Sequence, residues 1–224
     1  MTGVQTCALP ILGSPNIDCR QDGAKLAAKP RASYLFNSTI AGIDQADAVL
    51  IIGSNPRLEA AVMNARIRRN YLHNRTPVAV VGPEADLTYP AENLGTDISV
   101  LDALASGKHK FAKTLKRAKR PMLILGMGAL RRADGQAVMA LARQIAEETG
   151  MVTDSWNGFN VLHTAASRVA GLDMGFVPGK GGKDVAAMLK ATSKGEMKLV
   201  WLLGADEVDM SALSESFVIY QGHH

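Results

Sequence analysis

Short, unbroken apolar runs that stop abruptly at turn residues set the pattern of this chain. Ala48-Val49-Leu50-Ile51-Ile52 ends at Gly53-Ser54-Asn55-Pro56. A continuous run of strand length, rather than an alternating one, suits a strand covered on both faces. The same form recurs at 77–81, ended by Gly82-Pro83, at 121–125, ended by Gly126-Met127-Gly128, and at 198–203, ended by Gly204; 217–220 is a last strand-like run. Between these runs the period changes to that of a helix. Over 57–73, Leu58, Ala61, Val62, Ala65 and Leu72 recur at helical spacing opposite Arg66, Arg68 and Arg69, so the aliphatic set is expected to be the buried face. Pro56 opens that helix where its missing N–H costs nothing. Further helices are expected at 39–45, 100–116, 136–149, 160–169 and 184–191. Val138, Leu141, Ala142, Ile145 and Ala146 mark the core side of the fourth of these six. Residues 12–33, 151–159 and the glycine-rich 171–183 read as loop.

Strand, helix and strand joined by short connections imply a right-handed parallel crossover. The expected fold class is therefore α/β, with tandem Rossmann-like units and mainly parallel sheets. The first unit is expected over 12–118 and the second over 119–224, the latter cut short. Residues 1–11 lack the basic and apolar regions of a signal peptide. They resemble a translated adapter scar and are read as a non-native leader. No apolar run approaches the roughly 18 residues of a membrane span.

Composition adds limits. Aromatic residues make up only 5% of the chain, so aliphatic side chains must fill the core. The net charge of +4 is unevenly spread, because no acid occurs between Asp102 and Asp134, where nine Lys and Arg residues lie. With Phe111 the one aromatic in that stretch, base stacking is poorly supported, and the run reads as a solvated helix face rather than a nucleic-acid site. Cys7 and Cys19 have no metal-ligand spacing, and four ligands are normal for a cluster or structural zinc. No metal ligand and no catalytic residue is therefore assigned. Candidate chemistry is confined to the strand ends. Gly53, Ser54 and Asn55 join a strand to a helix start, which suits either a phosphate or a plain capped turn. Gly126-x-Gly128 is half of a dinucleotide fingerprint. Gly204-Ala205-Asp206-Glu207 places two carboxylates beyond another strand, fit for a ribose, a guanine edge, a metal or a helix cap.

Longer words carry a family resemblance. Asn16-Ile17-Asp18-Cys19-Arg20-Gln21-Asp22-Gly23-Ala24, Arg31-Ala32-Ser33-Tyr34-Leu35-Phe36-Asn37 and, above all, Leu50-Ile51-Ile52-Gly53-Ser54-Asn55-Pro56-Arg57 with Glu59-Ala60-Ala61-Val62 and Asn64-Ala65-Arg66-Ile67-Arg68 resemble the large iron–sulfur subunits of respiratory NADH:quinone oxidoreductase, complex I. The resemblance implies a region related to molybdopterin oxidoreductases, acting as a scaffold for electron transfer from NADH to quinone. It implies iron–sulfur clusters in the full-length subunit and none in this segment, so the isolated segment would be inactive. It further implies other peripheral-arm subunits as partners, and neither nucleic acid nor direct membrane insertion. The implied place is the cytoplasmic face of a bacterial inner membrane, or the matrix side in mitochondria. Gly53, Ser54, Asn55, Gly204 and Asp206 would be a vestigial nucleotide pocket. Two alternatives stay open: a pterin-dinucleotide-binding lobe of a molybdenum oxidoreductase, and a Rossmann-like nucleotide domain of another enzyme. The incomplete glycine fingerprint argues against the last.

Overall fold

The computed structural model describes residues 12–205 and 207–222. The expectations for the leader, Cys7 and Asp206 fall outside those residues. The chain divides into a larger unit, Lys25–Ala166, and a smaller one that joins residues 12–24 to 167–222.

The larger unit is built on one five-stranded parallel sheet. Its strands are β1 (Ala48–Ile52), β2 (Val78–Val81), β3 (Glu92–Asn93), β4 (Pro121–Gly126) and β5 (Phe159–Leu162), in the order β3-β2-β1-β4-β5. Every residue of β1, β2 and β4 is buried. That is why these strands read as unbroken apolar runs: a central strand with helices on both faces has no solvent side. Alternate residues of the strands face opposite layers. Val49, Ile51, Val78, Val80, Met122 and Ile124 join one hydrophobic cluster with Met63, Ile67, Tyr89 and Trp156. The helices of the unit are α1 (Thr39–Gly42), α2 (Pro56–Glu59), α3 (Ala61–Asn74), α4 (Ile98–Ala105), α5 (Lys110–Arg117), α6 (Met127–Leu130) and α7 (Gly135–Glu148).

Four expectations are corrected here. The division expected at 118/119 falls inside the larger unit, because β1 pairs with β4 in register from Ala48↔Pro121 to Ile52↔Leu125. The helix expected over 57–73 breaks at Ala60, which sits at φ −152° and ψ 63° between α2 and α3. The helix expected over 100–116 is two helices, α4 and α5, turned at Gly107 with φ +71°. Part of the segment expected as a helix over 160–169 is instead β5, parallel to β4. The fully buried Asn160 in β5 hides the strand from a hydropathy reading. Its Oδ1 accepts from Ser38 N at 2.9 Å and its Nδ2 donates to Gly158 O at 3.0 Å, so the amide is satisfied without water. The last strand-end residues lead to His163, whose Nε2 lies 2.6 Å from Tyr34 O.

The face of α3 is also reversed from expectation. Met63, Asn64, Ile67 and Asn70 turn inward, while Leu58 of α2 and Val62 and Leu72 of α3 stay exposed. The two asparagines work as connectors. Asn64 donates to Leu87 O at 3.0 Å and accepts from the Tyr89 hydroxyl at 2.9 Å. Asn70 donates to Ile43 O at 2.8 Å and Ala46 O at 2.7 Å, and accepts from Thr76 Oγ1 at 2.9 Å. Burial pushes the Tyr89 phenol well above its ordinary range, so the hydroxyl stays a donor.

The smaller unit holds β6 (Leu199–Leu203) and β7 (Phe217–Gln221), which pair in parallel as expected, with α8 (Arg168–Asp173) and α9 (Val185–Thr192). Asp184 caps α9 by accepting from Ala187 N at 2.9 Å. A buried ion pair, Arg168 to Asp22 at 2.8 Å, ties residues 12–24 to α8. Cys19 packs against Gly171, where an added Cβ would come within 2.7 Å of the Cys19 Cβ. Burial is the main cause that pushes the Cys19 thiol up, and Asp18 adds to it, so the group is held as a thiol rather than a thiolate.

The Asn70 network gives a direct test. Asn70→Ala removes the two amide donations to the Ile43 and Ala46 carbonyls and the acceptor of the Thr76 hydroxyl, leaving only contacts of 3.4 Å among these groups. A loss of about 1–3 kcal/mol in urea unfolding is expected. A change within about 0.5 kcal/mol would show that these groups find other partners.

Candidate functional site

In an open parallel sheet, ligands bind beyond the carboxyl ends of the strands where the chain order reverses. Here that point lies between β1 and β4, the two central neighbours. Gly53, Ser54 and Asn55 leave β1 there, Gly82 to Ala85 leave β2, and Gly128, Ala129 and Arg132 follow β4. Together with Thr96, Asp97 and Ile98 at the start of α4, they line an open cavity of about 560 Å³. The structure thus brings together Gly53, Ser54 and Asn55. Gly204 belongs to the smaller unit, where it follows β6 and its N–H donates to Gln221 O at 2.8 Å. Asp206 lies outside the described residues.

The glycines at this point serve close approach. Gly53 holds φ +61°, and a Cβ there would lie 2.5 Å from Ala129 N. A Cβ on Gly126 would lie 2.5 Å from Gly53 O, and one on Gly128 would lie 2.7 Å from the same oxygen. Gly126-x-Gly128 therefore lets the start of α6 pack directly on the turn that ends β1. That is the plain-turn reading of the half fingerprint, and it is sufficient to explain both residues.

The anion-binding reading of the β1 turn meets a specific obstacle. Glu59, four residues on, folds back over the turn. Its carboxylate accepts from the Asn55 N–H and from the Ser54 hydroxyl, both at 2.9 Å. These are the donors a phosphate would use, and they already hold an anion belonging to the chain itself. The surroundings are of the same sign. Glu59, Glu84 and Asp97 line the cavity against the single cation Arg132, which is committed to Asp134 at 2.7 Å. Asp97 accepts from Ser99 N at 2.8 Å as the cap of α4. Hydrogen bonds from Ser99, first through its side chain and then through its backbone, hold the Asp97 carboxyl below the usual carboxylate range. The Asn55 side-chain oxygen is buried with no hydrogen-bond partner among the described residues. In this arrangement the Ser54 hydroxyl and the Asn55 N–H are held by Glu59 rather than open to a diphosphate. Sequence reasoning gave Glu59 no role of its own. Its four-residue offset from Asn55 across a helix start is the one signal that it could cap the turn.

Among the described residues, no group of three or more His, Cys, Asp or Glu is placed to hold a metal. No described helix is long and apolar enough to cross a membrane.

A parallel α/β sheet with its cavity at the switch point belongs to a wide class of nucleotide-associated folds, and comparison narrows it. The model of the molybdopterin oxidoreductase family matches residues 8–224, and the chain belongs to that family. Within it, the chain is 41% identical over 209 residues to the NADH-ubiquinone oxidoreductase 75 kDa subunit of Reclinomonas americana. It is 42% identical over 214 residues to the mitochondrial NADH dehydrogenase [ubiquinone] iron-sulfur protein 1 of Solanum tuberosum. It is 42% identical over 213 residues to an NADH-quinone oxidoreductase subunit of Rickettsia conorii. These alignments cover 93–95% of this chain and 28–30% of the relatives, so the chain spans under a third of the proteins it matches.

The glycine crossing makes its own prediction. Gly126→Ala should destabilise the chain by about 1–3 kcal/mol through overpacking against Gly53 O, read as a lower urea midpoint. An unchanged midpoint would mean that the two turns are not in contact in solution.

Proposed function

We propose that this chain is a segment of the large iron–sulfur subunit of an NADH–quinone oxidoreductase, acting as a scaffold of the peripheral arm through which electrons pass from NADH to quinone. The supporting observation is the identity of 41–42% along nearly the whole chain to three NADH oxidoreductase and dehydrogenase subunits. The site supports the same reading. Hydride and one-electron chemistry need a flavin, a nicotinamide site or a cluster, and at the switch point the Ser54 hydroxyl and the Asn55 N–H already donate to the Glu59 carboxylate. In this reading the clusters of the full-length subunit are held outside residues 12–224. Gly53, Ser54 and Asn55 are the remnant of one nucleotide loop, and Gly204 and Asp206 of a second in the smaller unit. The partners are other subunits of the arm. The arm's place is the cytoplasmic side of a bacterial inner membrane, or the matrix side in a mitochondrion.

The competing reading is a pterin-dinucleotide lobe of a molybdenum oxidoreductase. It shares the fold, so only the site separates the two. The names of the relatives and the Glu59 carboxylate over the β1 turn both weigh against it.

The test is purification of the full-length protein carrying this segment from its native membranes. It should co-purify with NADH-oxidising, quinone-reducing activity and with reduced-cluster signals in low-temperature electron paramagnetic resonance. The isolated chain, treated with iron and sulfide, should show no stoichiometric cluster signal and no NADH oxidation. Release of one pterin per full-length protein on oxidative extraction, without NADH oxidation, would overturn the proposal in favour of the molybdenum reading.

A further inference from the structure

Helix α3 is mounted with its more apolar side outward. On an ideal helix at 100° per residue, Val62, Ala65, Arg69 and Leu72 fall on one stripe, opposite the inward Met63, Asn64, Ile67 and Asn70. Val62 is 71% exposed and Leu72 48%, and Leu58, just before the break at Ala60, is 80% exposed. A surface helix ordinarily buries its aliphatic stripe and shows its polar one. A helix that buries two asparagines and leaves Val62 and Leu72 outside, next to the exposed Leu58 of α2, is suited to a position where its outer side is also covered.

The charges beside the stripe say what kind of cover fits. Residues 60–83 contain no acid, while Arg66 and Arg68 flank the stripe and Arg69 lies within it. Arg66 and Arg69 share the single carboxylate of Asp44, each at 2.5 Å, so the face keeps a net positive charge. Arginine, unlike lysine, is enriched at protein interfaces, because its planar and weakly hydrated head pairs carboxylates along two donors. The lysine-rich face of α5, with Lys113 and Lys116 exposed, has no such aliphatic stripe and reads as solvated surface.

We propose that the outer face of α3 docks an amphipathic helix of a neighbouring subunit, about three turns long (the length of 62–72 on a helix), with an apolar seam flanked by carboxylates. This rests on the proposed place of the chain in a multi-subunit complex. A second copy of the chain is a poor occupant, since a two-fold contact would set the same arginines against each other.

The experiment places a photoreactive benzophenone side chain at Val62 of the full-length subunit in the assembled complex, followed by peptide mapping of the product. The expected product joins Val62 to a different subunit, at a helix carrying Asp or Glu beside apolar positions. In parallel, Val62→Glu should reduce incorporation of the subunit into the complex at least tenfold. The unfolding midpoint of the isolated chain should stay unchanged, because the position is exposed. Crosslinks to the same polypeptide or to a second copy, or a subunit that enters the complex with no product formed, would overturn the proposal. So would normal assembly of Val62→Glu. A subunit absent from any NADH-oxidising complex would overturn the proposed function first, and this inference with it.

Discussion

The larger unit depends on one close crossing of backbone. At the carboxyl ends of the two central strands, the turn after β1 and the start of α6 after β4 meet with no room for a side chain at Gly53, Gly126 or Gly128. That approach sets β1 and β4 as neighbours, and with them the order of the whole sheet. It also forms one wall of the cavity, because the loops that cross there are the loops that line it. Glycine is required for a steric reason, and Gly53 in addition for its positive φ. The same residue type at the same place in a nucleotide-binding fold would let a diphosphate approach the backbone. Here the space is used by the chain.

What the sequence disclosed and what it hid follow from burial. β1, β2 and β4 were legible because strands covered on both faces are written as continuous aliphatic runs, and α7 because one of its sides faces the core and the other does not. β5 was not legible, since a fully buried Asn160 breaks its apolar run and is satisfied by Ser38 and Gly158, partners remote or invisible to a hydropathy window. The face of α3 is hidden for the same reason: Asn64 and Asn70 point inward because loop carbonyls meet them there. The expected boundary near 118 assumed that a repeat of strand and helix starts a new unit. In a sheet whose order reverses, the second repeat instead extends the first sheet on its other edge.

The candidate site was legible as a place and not as a chemistry. Gly53, Ser54 and Asn55 do line the switch-point cavity. What a linear reading does not reveal is that Glu59 turns back onto the same donors, so the turn carries its own anion. Membership in the molybdopterin oxidoreductase family describes the fold, and the ligand chemistry has to be argued from the site.

The central claim is that the Glu59 carboxylate occupies the Ser54 hydroxyl and the Asn55 N–H of the β1 turn in place of a phosphate. It is tested most directly by titrating the ¹⁵N-labelled chain with guanosine diphosphate at neutral pH while following the Asn55 amide. The account predicts no saturable shift of that resonance in the wild-type chain. A saturable shift of Asn55 in the wild type, with one nucleotide bound per chain, would contradict it.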